Sequence, residues 1–166
     1  MLFDIIAEAP EHGPQIDALH DLSFGPGRYV KTAYRLREGV AAIPELSFVV
    51  FAEEGDARRM VGSIRYSPVL IGGKKGLLLG PLAMDPAVRG QGGGQKLMQV
   101  SLDVARELKH GLVILVGDLP YYAKAGFKQV PSGRLTLPGP VDKTRLLYCE
   151  LSPGAFDGVE GSVEKM

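Results

Sequence analysis

The apolar positions of this chain fall into several short runs and one long stripe. LFDIIAE, residues 2–8, predicts a short opening strand. Pro10 and Pro14 then introduce a helix that carries Ile16, Leu19 and Leu22 near helical spacing, with Asp17 and Asp21 between them. FGPGR, residues 24–28, breaks that pattern, and a second short helix is expected around residues 30–37. ELSFVVFAEE and MVGSIRYSPVLI are rich in β-branched and aromatic residues and predict two antiparallel strands, with the polar EEGDARR as the hairpin turn between them. The continuous run GLLLGPLAMDP, starting at Gly76, predicts a central strand buried on both faces. Pro81 cannot donate to a ladder, so with Gly80 beside it the strand is expected to bulge or stop pairing there.

From Gly94 to His110 the stripe is helical. Leu97, Val100, Val104 and Leu108 share one face, while Lys96, Gln99, Asp103, Arg106, Glu107 and Lys109 occupy the rest. Lys109 and His110 suit the negative end of that helix, and Gly111 is expected as its left-handed cap. LVILVG then reads as another buried strand, which makes a strand–helix–strand unit with the run at Gly76. DLPYYAKAGF predicts a short helix with Asp118 at its N-cap, Pro120 in the first turn and Gly126 as its stop. TRLLYCELS supplies a late strand, and SPGAFDGVEGSVEKM reads as a loose tail. With 166 residues, no internal repeat and no long linker, the expectation is one α/β domain over residues 1–152 and a flexible tail over 153–166.

Composition narrows the function classes. Nineteen basic and nineteen acidic side chains cancel, so no global field draws the chain to nucleic acid or to an anionic membrane. Any anionic ligand must be held locally. The one cysteine, Cys149, has no partner for a disulfide or a zinc site and is read as core packing in a reducing compartment. The N-terminus carries Asp4 and Glu8 and lacks a basic n-region, and no apolar stretch approaches the roughly 20 residues needed to span a bilayer. A cytoplasmic location is expected, with no metal site, because His12, His20 and His110 have no metal-site spacing.

The candidate chemistry lies between the buried strand and the amphipathic helix, at Arg89-Gly90-Gln91-Gly92-Gly93-Gly94. Glycines there let the backbone turn tightly and approach a ligand, and free N–H groups at a helix start favour an anion such as phosphate. A purely structural turn has the same composition. A Walker loop is absent because no G-x-x-x-x-G-K-[ST] occurs, and a dinucleotide loop fails because Gln95 stands where the last glycine of G-x-G-x-x-G is needed.

What remains resembles the pyrophosphate loop of the GCN5-related N-acetyltransferase (GNAT) superfamily: Arg or Gln, two residues, Gly, one residue, then Gly or Ala. Arg89, Gly92 and Gly94 match it. PLAMDPAVRGQGGGQKLM also resembles the family's fourth strand, loop and following helix, and YYAKAGF its Tyr-x-x-x-Gly-Phe segment, so the likeness spans roughly residues 77–127. It implies a mixed, mostly antiparallel sheet of six to seven strands, with a central parallel pair splayed at the acetyl-CoA site and about four flanking helices.

It further implies that backbone groups of Leu82, Ala83 and Met84 pair with the pantetheine arm in strand fashion. Backbone N–H groups of Arg89, Gly90, Gln91, Gly92, Gly93, Gly94 and Gln95 would hold the pyrophosphate, with Arg89 adding charge. Tyr122, four residues before Gly126, stands where the family places the acid that protonates the departing thiolate, and Tyr121 would face elsewhere. Gly93 departs from the pattern, since that position is usually aliphatic, and is expected to loosen the loop and cost the helix start a packing contact. Asp118 and Pro120 are also unusual and shorten the helix before Gly126.

The implied activity is transfer of an acetyl group from acetyl-CoA to an amine of a small molecule or peptide by direct attack. The implied protein is a monomer or homodimer. A non-catalytic acyl-CoA-binding regulatory module on the same fold is the alternative. Candidate general bases are Asp118, Glu45 and Glu53, none of which the sequence selects. Arg28, Lys31, Arg35 and Arg37 either border the acceptor pocket or form a solvated basic face.

Overall fold

The computed structural model describes residues 2–25 and 31–166. The N-terminal apolar runs become an antiparallel series: β1 (Leu2–Ala7) pairs with β2 (Phe48–Glu54), β2 with β3 (Ala57–Ile71), and β3 with β4 (Lys74–Met84). Two tight hairpins join the last three. They turn at Gly55 and at Gly72 and Gly73, whose φ values of 62°, 57° and 81° favour residues without a Cβ. β4 then runs parallel to β5 (Leu112–Val116), and β5 pairs antiparallel with β8 (Leu146–Glu150), which holds the two-residue β6 (Lys128–Gln129) at the sheet's far side. The path β1-β2-β3-β4-β5-β8-β6 is mixed and mostly antiparallel, with its parallel pair in the middle.

Four α-helices are found among the described residues: α1 (Gly13–Phe24), α2 (Thr32–Arg37), α3 (Gly93–Glu107) and α4 (Leu119–Ala123). Leu77 and Leu79 of β4 join Val113 and Leu115 of β5 beneath Leu97, Met98 and Leu102 of α3. Leu78 and Ile114 point the other way, into a second cluster that contains Leu36 of α2. Successive strand residues thus serve opposite faces, which is why this run has no polar alternation. Cys149 is buried in the α3-side cluster. No helix is long and apolar enough to cross a membrane among the described residues.

Two expectations are corrected. The left-handed residue after α3 is Lys109 (φ 68°) and not Gly111. The N–H of His110 reaches the carbonyl of Ala105, and that of Lys109 the carbonyl of Arg106, each at 3.0 Å, so a Schellman cap closes one residue after Leu108.

The segment expected as a loose tail is part of the sheet. β3 has 15 residues and outruns the 7-residue β2, leaving Val69–Ile71 with an open edge opposite β4. β9 (Gly161–Lys165) fills that edge antiparallel, and β7 (Leu135–Thr136) lies parallel against β9. Phe156, 4% exposed, stacks on Tyr148 with ring centroids 4.1 Å apart, and the Arg134 guanidinium lies 4.3 Å from the Phe156 ring while donating to the carbonyls of Phe156 and Val159.

Candidate active site

The central pair opens where Gly80 and Pro81 sit. β3 and β4 shift register between Tyr66↔Leu79 and Ile64↔Leu82, so Gly80 and Pro81 together oppose Arg65 and form a bulge. Gly80 takes φ 132°, and the Gly80–Pro81 peptide is cis. β5 pairs with β4 at Leu77↔Val113 and Leu78↔Ile114, before the bulge; past it β4 continues on β3 alone.

Main-chain direction beyond the bulge follows from alternation in the antiparallel ladder. Asp85 donates its N–H to the carbonyl of Val61 at 2.7 Å, in the register that places Ala83 opposite Ser63 and Met84 opposite Gly62. Hydrogen-bonded pairs alternate with non-bonded ones, so Ala83 spends its backbone groups on Ser63, whereas those of Leu82 and Met84 point toward the gap. Of the three residues expected to meet pantetheine, Ala83 therefore has its main chain engaged in the sheet. The Met84 carbonyl accepts from Ser23 Oγ of α1 at 3.4 Å.

Beyond β4 the chain turns through residues 86–88, with Asp85 accepting from the N–H of Ala87 at 2.8 Å and from Arg59 at 2.6 Å. These two hydrogen bonds hold its carboxyl below the usual range. Gly90 and Gly92 follow at φ 83° and 84°, and Gly92 is the N-cap of α3, where no side chain occupies the first-turn N–H groups. Arg89 and Gln91 are exposed beside them.

Gly93 has a packing reason. A Cβ there would lie 2.8 Å from Met84 Cε, and one on Gly94 would lie 3.3 Å from Met84 Cγ; a Cβ on Gly62 would strike the sulfur. The Met84 side chain thus fills a hole lined by three glycines. The expected loss of a contact at the helix start does not occur, because Met84 supplies it from the strand.

The two adjacent tyrosines pack against each other, so Tyr121 does not face elsewhere as expected. The Tyr121 hydroxyl rests against Gly94, where a Cβ would collide with it, and its carbonyl accepts from Gln95 Nε2 at 2.8 Å. The Tyr122 ring lies against Gly117, just past β5, and meets the rings of Tyr121 and Phe127 edge-on at 5.1 and 5.9 Å. Burial, then the neighbouring Tyr121, pushes its phenol up to about 12, against opposing pulls from Arg145 and Arg37. Tyr122 is therefore a neutral proton donor at pH 7. Asp118 stands at the N-cap of α4 but makes no side-chain cap bond; its backbone carbonyl accepts from Tyr121 and Tyr122 instead.

The other candidates separate. Glu45 is exposed, and Glu53 is paired with Arg58 at 2.6 Å on the β2 end. Arg28 and Val30 lie outside the described residues. Lys31 extends over the Phe24 ring at 6.0 Å, and Arg35 reaches the carbonyl of Pro138 at 3.3 Å. Arg37 turns inward, and its guanidinium occupies the space a Cβ on Gly80 would need. Sequence reasoning grouped it with its basic neighbours, and the only local hint was its place next to the apolar Leu36. Gln95's side chain, Ser23 and Gly117 were missed, since nothing local marks their partners. Outside α3, a groove of about 610 Å³ runs from Gly92 past Gln95 and Gln99 toward Lys124, with Lys96 and Arg106 on its walls.

Comparison with known proteins gives the family. Residues 14–127 match the Acetyltransferase (GNAT) family. The chain is 32% identical over 162 residues to an uncharacterized N-acetyltransferase, YhbS, of Escherichia coli K12, covering 96% of this chain and 94% of that protein. The crystal structure of E. coli YhbS in complex with CoA superposes with a TM-score of 0.81 at 30% identity, over 99% of this chain and 89% of that one. A Brucella melitensis GNAT family acetyltransferase in complex with acetyl-CoA gives 0.62 at 28% identity, over 94% and 99% of the two chains. A family match that begins in α1 and ends just past α4, and a relative alike over nearly its whole length, make this chain a member of the GNAT acetyltransferase family.

Proposed function

We propose that the protein is an acetyl-CoA-dependent N-acetyltransferase that moves the acetyl group to an amine of a small molecule or peptide by direct attack. The observation that carries this reading is the open stretch of β4, where the N–H and carbonyl of Leu82 and the N–H of Met84 face a gap with the α3 N-terminus at one end and Tyr122 on the far wall. An extended pantetheine arm fits such an edge, and the unoccupied amides of Gly92 to Gln95 suit its pyrophosphate. The neighbour complexes with CoA and acetyl-CoA support a cofactor of this class.

In this reading the Leu82 N–H steadies the oxygen of the tetrahedral intermediate. Tyr122 gives its proton to the sulfur as the C–S bond breaks, and regains one from solvent. The attacking amine must reach the site unprotonated, its ammonium proton having passed to a base or to water. Asp118 is the candidate base nearest Tyr122. A binding-only module was left open by the glycine at 93 and by the unassigned base; Met84 accounts for the glycine.

Calorimetric titration with acetyl-CoA tests the reading. Gly92→Asp is the control variant: Asp tolerates the left-handed backbone, and a Cβ at 92 meets nothing within 4 Å, yet its charge repels a pyrophosphate. Saturable binding by the natural protein that the folded variant loses is expected. No binding by the natural protein sinks the reading.

A further inference from the structure

Arg37 is a cation without a visible counterpart. Its Nε is buried and has no hydrogen-bond partner, and no carboxylate lies within ion-pair distance of its guanidinium among the described residues. The undescribed residues 26–30 are Pro, Gly, Arg, Tyr and Val, so no acidic side chain is hidden there. Burial also lowers the guanidinium to about 10, which still leaves it charged at pH 7. A shielded, uncompensated charge costs stability, so this arrangement calls for a role other than holding the fold together.

The side chain is nevertheless held in place. Its helix is anchored from both sides, with Leu36 in the core, Thr32 Oγ1 donating to the carbonyl of Pro140 and Arg35 donating to that of Pro138. Gly80 leaves room for the guanidinium against the strand, where any side chain would displace it. Arg37 comes from α2, whose neighbour Leu36 belongs to the cluster on one side of the sheet, whereas Tyr122 packs with the α3-side cluster. The two groups therefore approach the gap from opposite sides. Gly80 precedes Leu82 by two positions, across the bulge.

We infer that Arg37 binds an anionic group of the acceptor, and that the acceptor is an amine carrying a carboxylate close to its nitrogen, as in a free amino acid. This rests on the acyl-transfer reading of the same site. A planar carboxylate matches the fork of one guanidinium, and an α-amino acid held this way places its amine within the span between Gly80 and Leu82. Arg37 is thus a specificity-determining residue for the acceptor.

The test compares free L-amino acids with their carboxamides as acceptors of acetyl from acetyl-CoA, by thiol release, in the natural protein, Arg37→Met and Arg37→Lys. At least one amino acid is expected to exceed its amide by about tenfold or more in kcat/KM, and Arg37→Met to erase that preference through KM. Arg37→Lys should keep part of it, and neither variant should lower Tm. A preference that survives in Arg37→Met overturns the inference. So does an equal loss of kcat for acids and amides, which would place Arg37 at the reacting oxygen instead. Absence of turnover across all carboxylate-bearing amines in a protein that binds acetyl-CoA overturns it too. A Tm that falls in both variants overturns it in favour of a structural role, and absence of acetyl-CoA binding removes the acyl-transfer reading along with it.

Discussion

Gln95 donates from Nε2 to the carbonyl oxygen of Tyr121 at 2.8 Å, tying the first turn of α3 to the helix that carries Tyr122. The cap expected to hold pyrophosphate and the helix whose phenol is expected to protonate the thiolate are thereby linked directly. Gln95→Ala should cost about 1 kcal/mol in urea unfolding and lower kcat more than it raises the Kd for acetyl-CoA.

Tyr122→Phe keeps the ring contacts with Gly117, Tyr121 and Phe127 and removes the proton. Acetyl-CoA affinity should be unchanged in calorimetry, while kcat falls by about 10²-fold or more if the phenol is the general acid. An unaltered kcat would show that solvent protonates the leaving sulfur.

At Gly93 the outcome turns on Met84. Gly93→Val forces a Cβ into Met84 Cε and should destabilise by about 1–3 kcal/mol through overpacking. Combining it with Met84→Ala opens the occupied space, so the double variant should be more stable than the sum of the two losses. Additive losses would refute the packing account.

Alkaline pH should unfold the protein early. Burial raises Tyr122 to about 12, and raises Tyr66, whose hydroxyl is 2.7 Å from Ser101 Oγ, further still. Both phenols ionise near 10 in the unfolded chain, so their stabilising effect is complete below that pH. As pH rises above 10 the unfolded chain loses protons that the folded chain keeps, and stability falls by up to about 1.4 kcal/mol per unit for each tyrosine. Equilibrium unfolding between pH 9 and 12 should show this slope, and Tyr122→Phe should reduce it.

The C-terminal segment should behave as core. Phe156→Ala removes a ring held between Tyr148 and Arg134 and should cost about 3–5 kcal/mol in denaturant unfolding. A loss within about 0.5 kcal/mol would restore the loose-tail expectation.

The sequence by itself determined the features whose cause is local. The β-hairpins follow from apolar runs punctuated by glycine and the break in β4 from a proline that has no N–H to donate. The existence of α3 was legible too, but its face was not: the core takes Leu97, Met98, Ser101, Leu102 and Ala105, while Val100 and Val104 are half-buried and Leu108 is exposed, because the sheet beneath decides which side is covered. The glycine loop and the tyrosine four residues before Gly126 were legible as well, being fixed spacings within short segments. The tertiary structure alone decided what depends on distant partners. Ala83 and Met84 look equivalent in the chain, and only their register against β3 turns one into the sheet and the other toward the gap. Gly93 is explained by a side chain nine positions earlier, and Arg37 by the absent Cβ of Gly80. β9 has one buried apolar residue, Val163, too weak a pattern to read; it forms because β3 outruns β2 and leaves backbone groups that another strand must satisfy.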